Sequence, residues 1–263
     1  MLAAWARIDA PLLPRQEPPM ETEAIKPGTV ARRLLRAADR ATFATTLAGR
    51  EPVGAESWPY ASLVLLACDH DAAPLLLMSD LAEHSKNIAA EARAALLIDG
   101  TAGRVDPLTG PRATVLGTVE KTVDPRLMAR FVARHPSAAL YADFADFHLY
   151  RVTVARAHFV AGFGRIHWIE AADFTFDAGT AALAEAEESL VQQLGKQADR
   201  LAQLATGRRA EGWRLTGIDP EGLDLRREGA VSRIEFPAPV ATAEALIATV
   251  DGLLEAATAR RKK

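Results

Sequence analysis

The chain is poor in the features that would assign it quickly. Among its 263 residues there is one cysteine, Cys68, so an intrachain disulfide is excluded. Cys68 closes the apolar run Leu63–Cys68, where a thiol reads as buried and structural rather than nucleophilic. That usage suits a reducing, cytoplasmic setting. No apolar run approaches the ~18 residues of a membrane span. Residues 1–20 interleave acidic and proline residues where a secretory signal needs an unbroken apolar core. The formal net charge is only −3, which excludes a general affinity for nucleic acid or an anionic membrane. Neither HExxH, CxxC nor a glycine-rich GK[ST] loop occurs, and no serine sits in a nucleophile elbow. Gly162-x-Gly164 lacks the third glycine of a dinucleotide fingerprint and runs into a β-type segment, so that reading is set aside. The closing basic run, Arg260–Lys263, reads as a solvated tail beside a helix C-terminus.

The remaining pattern is α+β. Residues 1–24 read as a tail, with either Met1 or Met20 as the start. Pro27–Ala38 has the apolar spacing of a helix, through Val30, Leu34, Leu35 and Ala38. Residues 43–47 are β-type, and 49–59 read as a loop. Two strands, 60–68 and 74–79, flank the polar turn Asp69–Ala73. A short helix at 82–91 and strands at 94–99, 112–123 and 148–160 follow. Asp124-Pro125 caps a helix that reaches about Ala133. Hairpin connections favour a closed antiparallel barrel over a doubly wound sheet. Near residue 170 the composition changes. One long helix over 180–206, three short strands (212–218, 223–227, 231–236) and a final helix over 241–260 read as a separate α-β-β-β-α unit. The expected division is 1–24, 25–172 and 178–263.

Two stretches carry candidate chemistry. Ser79 ends a strand, and His84, Ser85, Lys86 and Asn87 open the next helix. Backbone N–H groups at a helix start, a hydroxyl and an ammonium suit an anion such as a phosphate. Asn87 is the only asparagine of the chain. The ordinary alternative is a helix start with solvated polar residues. On the strand Tyr60-Ala61-Ser62-Leu63, small residues allow a flat ring close to the backbone; an ordinary barrel strand reads the same way. Arg165, His167 and Trp168 are candidates to sit over a bound ligand, against the plainer reading of a packed His–Trp pair. The glutamates Glu185, Glu187 and Glu188 read as a solvated helix face.

With these residues in order, the chain resembles the pyridoxamine-phosphate-oxidase-like FMN-binding split-barrel proteins, and within them the haem-utilisation branch. The resemblance is carried by ATFATTL (41–47), PYASLVLLACD (59–69), PLLLMSDLAEHSKNI (74–88), RAALLID (93–99), DPLTGPRATVLGTVE (106–120) and GFGRIHWI (162–169). AEAEESLV (184–191), GIDPEGLDLR (217–226) and SRIEFPAPV (232–240) resemble the small C-terminal domain of that branch. It implies a six-stranded antiparallel split β-barrel with flanking helices, forming a homodimer with FMN at the interface. Ser79, His84, Ser85, Lys86 and Asn87 would surround the FMN phosphate and ribityl chain. Tyr60, Ala61, Ser62 and Leu63 would line the flavin ring. Arg112 would lie near the flavin, and Arg165, His167 and Trp168 at the mouth of the site.

Two departures shape the functional expectation. Ser62 and Ala67 stand where the oxidases of pyridoxamine phosphate carry an arginine and a lysine. VQQLGKQADRL (191–201) has no histidine where the haem branch carries two. The leading expectation is an FMN-dependent oxidoreductase acting on a small or planar substrate, with no metal site. The alternatives are a haem-binding or haem-degrading protein, with His167 as the iron ligand, and a non-catalytic binding module that has lost its cofactor.

Overall fold

The computed structural model describes residues 25–48, 58–162, 164–176 and 180–260. The expected tail, most of the loop from residue 49 and position 163 lie outside these. The first helix, α1 (Pro27–Ala37), carries two faces. Ala31 and Leu35 are fully buried in the barrel core, while Arg32 and Arg36 are buried on a different side. Strands β1 (Arg40–Thr46), β2 (Pro59–Leu65), β3 (Ala67–Cys68) and β4 (Pro74–Ser79) follow. Next come α2 (Glu83–Ala90), β5 (Arg93–Asp99), β6 (Arg112–Thr122), α3 (Pro125–Arg134), β7 (Phe147–Val160) and β8 (Ile166–Glu170). As expected from Asp124-Pro125, the Asp124 side chain accepts from Arg126 N at 2.9 Å and caps α3.

All pairings in the sheet are antiparallel, in the order β2-β1-β5-β6-β7-β4-β3, with β8 added to β7. β2 and β3 are consecutive in the chain yet sit at opposite ends of that order. The sheet must therefore curl until its ends meet, which gives the half-barrel. The core inside it contains Phe43, Leu66, Leu76, Leu96, Ile98, Val115 and Phe159. The expected count of six strands is corrected. The run 60–68 breaks at Leu66, whose N–H bonds Asp39 O at 3.0 Å instead of joining a ladder, and Ile166–Glu170 forms an eighth strand.

β6 and β7 share a bulge at Leu116/Gly117. A Cβ at Gly117 would lie 2.4 Å from Thr153 O and 2.7 Å from Val152 Cγ1. Backbone cannot give way cheaply there. Gly117→Ala is expected to lower stability by about 1–3 kcal/mol, read as a shift of the urea midpoint.

The C-terminal unit follows a single turn, α4 (Ala171–Phe174). It comprises α5 (Thr180–Gly195), α6 (Ala198–Thr206), β9 (Arg214–Asp219), β10 (Gly222–Arg227), β11 (Ala230–Glu235) and α7 (Ala243–Arg260). Its sheet runs β11-β10-β9, and its own core is built on Leu183, Leu201, Ile218, Leu223, Leu225 and Leu246. One long helix over 180–206 was expected; two are present. The chain breaks at Gly195–Gln197, where a residue of low helix propensity allows a change of direction. The break lets Leu194, Ala198 and Leu201 all reach one core.

Candidate functional site

Strand alternation divides the expected ring-lining residues. Tyr60 and Ser62 point to the α2 side, and Ala61 and Leu63 point outward, with Leu63 68% exposed. Four consecutive residues of a strand cannot line one ring face. On the inner side, Ser62 Oγ lies 3.0 Å from His84 Nδ1, and Phe43 meets the His84 ring edge-on at 5.9 Å. Burial holds the His84 pKa below its ordinary value.

The expected phosphate cradle does not converge. Lys86 is 52% exposed at its side chain and pairs with Glu83 at 3.9 Å, one turn back along α2. Asn87 is fully buried and occupied. Its Nδ2 donates to Thr45 Oγ1 at 2.9 Å, and its Oδ1 accepts from Ala48 N at 3.0 Å. The one asparagine of the chain therefore ties α2 to β1. Ser79 Oγ donates to Asp146 at 2.5 Å and accepts from Leu81 N at 3.0 Å. Ser85 Oγ is buried without a well-placed hydrogen-bond partner and faces the Tyr150 hydroxyl. Arg112 folds back on its own loop, donating to Leu108 O at 3.0 Å and Gly110 O at 3.3 Å. Lys86 therefore stands at the surface, while Asn87 is buried in a tie between α2 and β1.

Other residues do assemble. On the outer face of the sheet, one cross-strand rung runs Leu63–Thr42–Leu97–Thr114–His158–Trp168 through β2, β1, β5, β6, β7 and β8. The adjacent rung runs Ala61–Ala44–Ala95–Leu116–Arg156. This outer face carries small and apolar side chains together with Thr42 and Thr114, with Leu97 41% and Trp168 57% exposed. At its β7–β8 end the His158 ring packs on Trp168 at 4.7 Å, and the Arg156 guanidinium lies over the same indole at 4.5 Å. Of the expected mouth residues, Trp168 belongs to this face. His167 alternates to the other side of β8, opposite buried Phe159, and Arg165 Nη2 donates to Ala161 O at 2.8 Å. Arg156 and His158 were not singled out from sequence. The alternation in VTVARAHFV puts both on one face, and that signal was available.

The second unexpected assembly is the seam between the barrel and the C-terminal unit. Arginines of α1 and α3 reach acids beyond residue 183. Arg32 grips Glu221 through Nε at 2.7 Å and Nη2 at 2.9 Å. Arg36 lies 3.1 Å from Glu221 and 3.2 Å from Asp219. Arg130 bonds Glu187 and donates to Ile218 O at 2.8 Å; Arg134 reaches Asp224 at 3.3 Å. Glu187, expected as a solvated face residue, is thus part of a buried network.

The family described as "CREG, beta-barrel" matches residues 21–175. The chain is 34% identical over 110 residues to a non-canonical heme oxygenase, chloroplastic, from Arabidopsis thaliana. That match covers 41% of this chain and 33% of the relative, so the chain spans about a third of the length of that protein. A protein of unknown function from Agrobacterium tumefaciens superposes with a TM-score of 0.72 at 28% identity, covering 91% of this chain and 99% of that one. A heme binding protein from Mycobacterium smegmatis gives a TM-score of 0.51 at 26% identity, covering 89% and 98%. Among the described residues no helix is long and apolar enough to cross a membrane, and no cluster of His, Cys, Asp and Glu suits a metal ion.

Proposed function

The chain belongs to the CREG beta-barrel family, and from that premise we propose that it binds haem on the outer face of its barrel sheet. The observation that carries this reading is the rung ending in His158 and Trp168, with Arg156 beside them. A planar apolar macrocycle needs an accessible apolar bed, an imidazole for iron and a cation for its carboxylates. Leu63, Leu97 and the alanines of β1, β2 and β5 supply the bed, His158 the imidazole and Arg156 the cation. Bound haem would supply the redox chemistry, and the protein would position it and limit solvent access. The names of the Arabidopsis and Mycobacterium relatives support the choice of haem. FMN, the leading expectation from sequence, is the second reading: Asn87 is committed to Thr45 and Ala48, while Lys86 stays at the surface. The exposure of the bed suits a homodimer in which a second copy covers the ring.

Haemin titration tests the reading. A saturable Soret shift at one haem per chain or per dimer is expected, and His158→Ala should weaken binding at least tenfold. His167→Ala and His84→Ala should leave the spectrum unchanged. A His167-dependent shift would move the ligand to that residue. If FMN alone raised the melting temperature by several degrees and haemin did nothing, the flavin reading would replace this one.

A further inference from the structure

His70 lies in the β3–β4 turn, where the seam closes over it and leaves it 2% exposed. Four kinds of neighbour face it. From its own turn, Asp69 Oδ1 lies 3.5 Å from Nδ1. From α3, Arg126 Nη1 lies 3.3 Å from Nδ1, and the Arg130 guanidinium adds positive potential. From α5, Glu187 Oε2 lies 3.6 Å from Nε2, too far for a normal bond, so Nε2 is buried without a hydrogen-bond partner. From α1, Arg36 Nη2 donates to the His70 carbonyl at 2.7 Å. Beside the ring a cleft of about 580 Å³, lined by Asp69, Asp71, Arg126, Phe176, Thr180 and Glu185 among others, gives solvent a path to the seam.

Nδ1 stands between Arg126, which only donates, and the Asp69 carboxylate, which only accepts; the nearer of the two, Arg126 at 3.3 Å against 3.5 Å, assigns Nδ1 as the acceptor and puts the proton on Nε2, toward Glu187. We propose that His70 is an acid-operated latch on the seam: a second proton on the ring removes the acceptor that Arg126 uses and sets a cation against it, so the barrel and the C-terminal unit separate locally. Desolvation, the largest influence, and Arg130 both disfavour the charged ring; Asp69 and Glu187 oppose them, and the balance holds the pKa below its ordinary value. Neutral His70 therefore belongs to the closed seam. As pH falls below about 6.5, proton uptake favours the opened form, in which the ring is solvated. Arg126 itself is anchored on Asp69 at 2.9 Å, and Arg151 lies between Asp69 and Asp71, so release at His70 disturbs a connected set of pairs.

Hydrogen exchange on the full chain, corrected for intrinsic rate, tests the latch. Between pH 7.5 and 5.0, protection of peptides from 126–134 and 184–191 should fall tenfold or more, while β6 and β7 hold. His70→Gln offers an amide oxygen toward Arg126 and an N–H toward Glu187 and does not titrate, so its seam should stay protected at pH 5.0. An equal fall in both proteins would overturn the proposal. So would a wild-type seam that stays closed while the His70 ring, followed by NMR, takes up its proton. That second measurement needs no variant. His135, a further buried imidazole, acts alike in both proteins and cancels from the comparison.

Discussion

Glu221→Ala should cost about 3–5 kcal/mol of unfolding free energy, read from urea or guanidinium denaturation, because it strands the buried Arg32 cation and takes from buried Arg36 one of its two carboxylates. Glu221 is 1% exposed and receives Arg32 in a two-bond fork, plus Arg36 Nε at 3.1 Å. Those arginines are 6% and 2% exposed, so water cannot replace the lost carboxylate. Arg32 would keep Phe174 O at 3.0 Å and its place over Phe176 at 4.5 Å, and Arg36 would keep Asp219. These contacts hold the side chains in place without neutralising Arg32. The comparison that isolates the charge effect is Arg32→Met with Glu221→Leu. That pair should recover part of the loss, because an apolar pair of similar volume leaves no buried charge unpaired. A cost below about 1 kcal/mol for Glu221→Ala would show that the seam opens to solvent readily.

Stability should also decline on acidification, and His135 is expected to carry a large share. It is 1% exposed at the C-terminus of α3, with Nε2 donating to Leu66 O at 2.8 Å. Burial, the largest cause, pushes its pKa from 6.5 down to about 4; the Leu66 bond opposes it, and Arg134 and Arg226 add to the lowering against a lesser upward pull from Asp39. The sign follows from linkage. In the unfolded chain the imidazole takes up a proton below pH 6.5; in the folded chain it stays neutral until about pH 4. Nothing is lost above 6.5. Between 6.5 and 4 the unfolded state binds more protons and stability falls, by about 3 kcal/mol in all from this group. Below pH 4 its contribution is flat. The measurement is the pH dependence of unfolding free energy for wild type and His135→Gln. The difference between the two curves should grow from pH 6.5 to 4 and then level off. Parallel curves would rule His135 out as the source.

How far the sequence could be read differs between fold and site. The half-barrel strands and most helices stand in the sequence as period-two or period-3.6 apolar patterns, as in β6, where Ala113, Val115, Gly117 and Val119 alternate inward. The break at Leu66 could not be read, because it depends on an N–H bonding Asp39 O, 27 positions back, in place of a neighbouring strand. The pattern of 180–206 predicts one helix where two stand, because the need for Leu194 and Leu201 to meet the same core is a three-dimensional constraint. At the site, residue types were legible and their directions were not. Lys86 and Asn87 are neighbours on α2, yet one faces solvent and the other is sealed against Thr45. Arg156 and His158 were open to a reading by alternation, but their value lies in Trp168, brought alongside by β8.

By itself the sequence determined the local order: which segments are strands, which are helices, and which face of each is apolar. Those preferences act over a few residues through backbone sterics and burial. Tertiary structure alone decided the charge partners. Arg32 and Glu221 stand 189 positions apart, and Arg130 and Glu187 stand 57 apart. A Coulomb pair is set by distance in space and by exclusion of water. The same arginine therefore reads as a solvated helix residue until the second unit closes over it.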